Sequence, residues 1–344
     1  LSAPHPLIAA AAGVWRRADV QTEALSRWLA SLPGTVDSDV LTDQAALDDW
    51  ARRKTLGLIE RFPVKLTDET MLVLATALAT KITWAEPFDV APASALGPHS
   101  AWASTLSRIL RTPQWGLGHT QFIAAADEAG DVAVHTAWAR DGLLVTSVAA
   151  EPGVPTADVL AAACRLANAI ATDAPVARRS LFTLPLGVAP LWEITEQQVR
   201  STAPDGREEH CTAVLPAWSA DSTHDLSAHP GLGFGAAAAA LAVLAGLDRF
   251  VYEAKQDAVA RYSRTGFEAA AITAMAAGTG RSITRPGLMR SAELRFCRPY
   301  AVVAVIADKD RHAGHYPPVL SPWRGLPVFS AWITQPEDAD DPAS

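Results

Sequence analysis

The sequence predicts an α+β protein, because helical periodicity and strand alternation both recur along it and its composition supplies a core for both. Of its 344 residues, 49% are hydrophobic and 19% charged, a globular balance with enough apolar mass for a large interior. Length alone admits two domains, and a single large α+β domain accommodates it equally well.

The elements follow in order. Residues 7–15 are a short apolar run that reads as a strand. A helix comes next, with Val20, Ala24, Trp28 and Leu32 at helical spacing and Pro33-Gly34 as its stop. Asp43 is placed to cap a second helix that runs through Trp50 and Lys54 and ends at Gly57. The stretch 91–215 is the least informative. Within it, 131–139 alternates through Val132, Val134, Thr136 and Trp138 as a half-buried strand, with 142–149 as its hairpin partner. A helix over 155–172 lines up Val159, Ala163, Leu166 and Ile170, with Thr156 as its cap and Asp173-Ala174-Pro175 as its end. Residues 253–262 alternate, and 300–307 and 327–336 are strand-like. The acidic residues 337–344 are expected to be a disordered tail.

Charge and motifs exclude several functions. The 37 acidic and 29 basic residues give a net charge of −8, and no basic block occurs, so nucleic acid and anionic membrane are not expected partners. The longest apolar run, 236–245, is too short to span a bilayer. Cys164, Cys211 and Cys297 are far apart, odd in number and match no metal spacing, so buried thiols are expected. Gly231, Gly233 and Gly235 precede an Ala-rich run but lack the Lys-Ser/Thr of a phosphate loop, so a turn and a helix are expected there. His312 and His315 lie in a polar segment and read as solvated loop residues. No nucleophile elbow, zinc motif or cysteine-protease signature occurs; no enzyme activity, metal or cofactor is expected, and a monomer is. No signal peptide is visible, and Leu1 is not an initiator methionine, so the compartment stays open between cytoplasmic and secreted.

The most informative stretch is 263–275, Ser-Arg-Thr-Gly-Phe-Glu-Ala-Ala-Ala-Ile-Thr-Ala-Met. Two readings of it compete. Alanine is the best helix former, so propensity favours a helix. Against this stand β-branched Ile272 and Thr273, the glycines at 278 and 280, and the lack of an apolar stripe. In an extended chain Phe267, Ala269, Ala271, Thr273 and Met275 share a face, small enough at 269 and 271 to enter an existing sheet.

This stretch resembles the hinge of the serpins, a Gly-x-Glu-Ala-Ala-Ala-x-Thr pattern, through Gly266, Glu268, Ala269, Ala270, Ala271 and Thr273. Three further segments resemble serpin motifs in the family's order. Leu47, Trp50, Thr55, Gly57 and Ile59 match a Trp-containing helix segment, and Leu74, Ala77, Lys81, Trp84, Pro87 and Phe88 match the family's core motif. Pro216, Trp218, Asp225 and Leu226 match a third, and Pro299-Tyr300 and 331–336 stand at the closing strands. The resemblance covers most of 45–90 and 213–336 and is read as that of a bacterial serpin-like protein. It implies one serpin-like domain over 1–336, with a large central mixed β-sheet, further sheets and flanking helices. The family's N-terminal helices, which precede the point matching Leu7, are expected to be absent.

The resemblance also implies a function: a reactive loop at about 266–295, cleaved by a serine protease and then inserted into the sheet. The hinge is Gly266, Phe267, Glu268, Ala269, Ala270, Ala271 and Thr273. The bait bond is placed at Arg281–Ser282, with Gly280–Arg281 and Arg290–Ser291 as alternatives; an arginine there suits a trypsin-like protease, and a subtilisin-like one is also admitted. Phe267 stands where the family has Thr or Ser, and Arg264 where inhibitory members carry Glu. A non-inhibitory serpin-fold binding protein is therefore the alternative.

Overall fold

The structure, a computed structural model, describes residues 9–79, 82–98, 100–114, 118–140, 142–227, 229–247, 251–266, 285–307 and 322–340. In chain order the elements are β1 (Ala9–Arg16), α1 (Glu23–Ser31), β2 (Val36–Val40), α2 (Gln44–Lys54), β3 (Leu72–Ala79), β4 (Asp89–Pro92), β5 (Arg108–Arg111) and β6 (His119–Ala126). Then come β7 (Gly130–Trp138), β8 (Leu143–Ala149), α3 (Thr156–Thr172), β9 (Gly187–Val188), β10 (Trp192–Ser201), β11 (Arg207–Leu215) and β12 (Trp218–Asp225). The chain closes with α4 (Phe234–Ala245), β13 (Lys255–Tyr262), β14 (Arg285–Arg295), β15 (Tyr300–Ile306) and β16 (Pro327–Ile333). They form two compact units: Leu1–Lys81 with Ala220–Ala260, and Ile82–Ser219 with Arg261–Ser344.

In the first unit β1 is central, parallel to β2 and antiparallel to β3. Trp15 and Val73 meet Leu47, Trp50 and Phe62 in one apolar cluster. The Trp15 and Trp50 rings pack edge-on at 5.0 Å, and Trp50 Nε1 donates to Asp37 Oδ2 at 2.7 Å. Helix α2 begins where Asp43 Oδ1 accepts from Ala46 N–H at 2.9 Å, and Arg52, Arg53 and Lys54 complement the partial negative charge of its last turn. Thr22 caps α1, which packs on α4 through Val20, Leu25 and Ala245. Strands β12 and β13 form a two-stranded sheet of their own. Among the described residues β3 pairs only with β1, and β13 only with β12. Among the described residues β3 and β13 therefore each have one unpaired edge.

The second unit holds an antiparallel five-stranded sheet, β16-β15-β8-β7-β6, and a mixed six-stranded sheet, β4-β5-β11-β14-β10-β9. Helix α3 covers one face of the five-stranded sheet, where Val159, Ala163 and Leu166 meet Val134, Leu144, Val148 and Val303. The helix starts at Pro155 without a side-chain cap, so Thr156 does not have the capping role expected of it. The strand expected to be half-buried, β7, is covered on both faces from Val132 to Trp138. Alternation cannot foresee this, because a second layer of side chains decides whether the polar face stays wet.

Two expected boundaries are corrected. The loop was extended to about residue 295, but 285–295 is β14, paired with β10 from Ser201↔Arg285 to Trp192↔Leu294 and with β11 from Arg207↔Leu288 to Val214↔Arg295. The tail expected to be disordered from 337 is docked through 340. Glu337 N–H donates to Ala217 O at 2.7 Å, Asp338 Oδ1 accepts from the N–H groups of Ser107 and Arg108 at 2.7 and 2.8 Å, and Ala339 is buried. The carboxylates that made the segment read as solvated have partners: Asp338 accepts from backbone N–H groups, Glu337 from the Ser219 hydroxyl and Asp340 from Arg261. Residues 341–344 lie outside the described residues.

Candidate functional site

The site is built where the chain leaves β13. Residues 263–266 run beside 83–88, and each segment holds the other through backbone hydrogen bonds. Trp84 N–H donates to Thr265 O at 3.1 Å and Phe88 N–H to Arg264 O at 3.0 Å, while Thr83 and Gly266 form a bridge. The Trp84 side chain adds a bond of its own, Nε1 to Ser263 O at 2.9 Å, and is fully buried. Ser263 Oγ turns back to donate to Gly266 O. Gly266 has a φ of +113°, and a Cβ there would lie 2.4 Å from Ile82 O. Only glycine fits so close an approach of two backbones in that conformation.

Aromatic rings fill the space around this joint. Trp84 packs against Phe88 at 6.2 Å and Tyr262 at 5.0 Å; Trp218 stacks on Tyr262 at 5.5 Å and on Phe329 at 6.2 Å. Burial pushes the phenols of Tyr262 and Tyr300 up, so both stay neutral. Two histidines complete the cluster. His119 is 7% exposed and His135 is fully buried; their facing nitrogens, His119 Nδ1 and His135 Nε2, lie 3.1 Å apart. His119 Nε2 lies 2.9 Å from Glu86 O, and the Phe88 ring sits 4.4 Å from His119 and 5.5 Å from His135. Burial lowers both imidazoles, that of His119 to about 4.

Of the residues singled out in the sequence, Gly266, Trp84 and Phe88 meet at this joint, and Pro87 lies between Glu86 and Phe88 on the same segment. Lys81, Phe267, Glu268, Ala269, Ala270, Ala271, Thr273, Gly280, Arg281 and Ser282 lie outside the described residues, as do His312 and His315. Arg290 and Ser291, the alternative bait bond, stand in mid-strand in β14. Arg290 Nε donates to Glu196 at 2.8 Å, its Nη1 to Leu181 O and Leu184 O at 2.8 and 3.0 Å, and its guanidinium lies 4.9 Å over the Phe182 ring. A peptide bond paired on both sides is inaccessible to a protease cleft, so that alternative is withdrawn.

His119, His135, Tyr262 and Ser263 were missed. A histidine amid alternating apolar residues reads as the wet face of a strand, and nothing local marks it otherwise. No group of three or more His, Cys, Asp or Glu side chains placed to hold a metal occurs among the described residues. No described helix is long and apolar enough to cross a membrane.

No protein-family model matches the sequence, and no curated protein matches it. Solved structures do. A structure of thyroxine-binding globulin in complex with thyroxine superposes with a TM-score of 0.54 at 13% identity, over 97% of this chain and 78% of that one. Human glycosylated kallistatin does so with a TM-score of 0.54 at 15% identity, over 88% and 72%, and cleaved Serpin 42Da with 0.54 at 13%, over 98% and 78%. The chain has the serpin fold, an α+β arrangement of several sheets and helices.

Proposed function

We propose that the chain is a suicide inhibitor of a serine protease that works by cleavage and sheet insertion of the segment 267–284. One observation carries this reading: the segment is tethered at both ends, at Gly266 by the joint with Thr83 and at Arg285 by a strand held on two sides, while among the described residues β3 and β13 each keep an unpaired edge. Unpaired strand edges are templates for a further strand. In this reading a trypsin-like or subtilisin-like protease attacks Arg281–Ser282 and forms an acyl-enzyme through its serine. The freed end carrying Ala269, Ala270, Ala271 and Thr273 then adds to the sheet, and the tethered protease is drawn along before it can deacylate.

Incubation with trypsin and with subtilisin tests it. The expected result is a complex that survives SDS, with mass spectrometry placing the cut at Arg281–Ser282. Clean cleavage without a complex and without a gain in thermal stability overturns it. Phe267 favours the second reading, a serpin-fold binding protein that does not inhibit, because a phenyl ring entering a formed sheet costs roughly 1–3 kcal/mol in overpacking.

A further inference from the structure

The hydrogen bonds of the histidine pair fix its protons. Glu86 O only accepts, so His119 Nε2 carries a hydrogen and, in the neutral ring, Nδ1 carries a lone pair. His135 Nε2–H therefore donates to His119 Nδ1 at 3.1 Å. The remaining nitrogen, His135 Nδ1, is buried and has no hydrogen-bond partner. The contact between the rings forms in one neutral arrangement. A proton on His119 Nδ1 turns that nitrogen into a donor, so the contact then requires His135 to move its own hydrogen to the buried Nδ1, and on either ring the proton leaves a buried cation with no carboxylate bonded to it.

No carboxylate bonds to either ring, and the neutral Gln121 and Ser147 stand opposite His135 on the two flanking strands. The segment before Phe88 presents Glu86, whose carboxylate lies 3.4 Å from Gly118 N and makes its hydrogen bond there rather than to a ring. The end of β13 presents Tyr262, behind Phe88; β8 presents Ser147, paired across from His135; and the connection from β14 to β15 presents Phe296, 6.4 Å from His135. What the pair does hold is the joint. His119 is bonded to Glu86, both rings pack on Phe88, and Phe88 N–H and Trp84 N–H secure Arg264 and Thr265.

We propose that the His119–His135 pair is an acid-sensitive latch: neutral, it clamps residues 84–88 against 263–266, and its protonation in acid releases Gly266 from Thr83. A base whose folded value lies below its ordinary 6.5 contributes stability that is complete above that value and is lost as pH falls towards about 4. This inference does not depend on the inhibitory reading.

Amide hydrogen exchange of the intact protein, corrected for intrinsic rates, tests it at pH 7 and 4.5. The Trp84 and Phe88 amides are expected to open about 50-fold more readily at the lower pH, the ratio that a proton gained only in the open state imposes, while those of Val303 and Val305 in β15 are not. In His119→Gln, and in His119→Gln combined with His135→Phe, the difference is expected to fall below about 3-fold. A constant ratio of joint to β15 opening in the wild type overturns the latch. So does the same acid loosening in the variants, and the wild-type comparison decides alone if the variants do not fold.

Discussion

Gly266 shows how much a single residue can owe to its neighbours. A Cβ at this position meets Ile82 O at 2.4 Å and Thr83 Cα at 2.9 Å, in a backbone conformation that L residues avoid. Gly266→Ala is expected to cost about 3 kcal/mol, the sum of strain and overpacking. Gly130 is the comparison, since its φ of +71° is also positive but nothing lies within 4 Å of its Cβ position. Gly130→Ala should cost only about 1 kcal/mol, from strain alone. Denaturant midpoints of the two variants check this, and equal losses would mean that the contact with Ile82 has no effect. The sequence singled out this glycine through its resemblance to the serpin hinge. It did not show why the glycine is needed, because Ile82 and Gly266 are 184 residues apart in the chain.

At the scale of elements, β14 decides how the segment before it can behave. It pairs with β10 on one edge and β11 on the other, and the turn joining those strands closes round its start: Arg285 Nη1 donates to Pro204 O and Leu288 N–H to Gly206 O, each at 2.8 Å. Gly287 lets the turn approach, since a Cβ there would sit 2.4 Å from Gly206 O. In the proposed function the cut is what frees the segment, because β14 anchors its far end through pairing on both edges. Intact protein warmed below its unfolding temperature is therefore expected to show no gain in thermal stability, whereas protein cut between 267 and 284 does. A gain without a cut, seen by calorimetry with mass spectrometry confirming an unbroken chain, would contradict this. Arg290→Ala should lower stability by about 2–3 kcal/mol, since it strips two carbonyls and Glu196 of a charged donor. Local pattern had left 285–295 in a loop, because its Pro, Gly and arginines read as turn and solvent residues.

Across the whole molecule, the last described residues tie distant parts of the second unit together. Asp338 reaches Ser107 and Arg108, Glu337 reaches Ala217, and Asp340 pairs with Arg261 at 3.0 Å. Ending the chain at Pro336 is expected to cost about 2–4 kcal/mol from the lost backbone bonds and to lower the melting temperature by several degrees; an unchanged melting curve would show that the docking has no energetic role.

The sequence by itself determined the class of the protein and much of its inventory. Periodicity located α1, α2 and α3, alternation located β7 and β13, and resemblance to serpin motifs implied the serpin fold. The periodicity and the alternation are local signals, set by the 3.6- and 2-residue repeats. Only the tertiary structure decided which polar residues are buried, which strands pair among the described residues, and which backbones meet at Gly266. Those depend on groups brought together from far along the chain, where the burial of His135 or the docking of Asp338 is settled by a second layer of packing rather than by any neighbour in sequence.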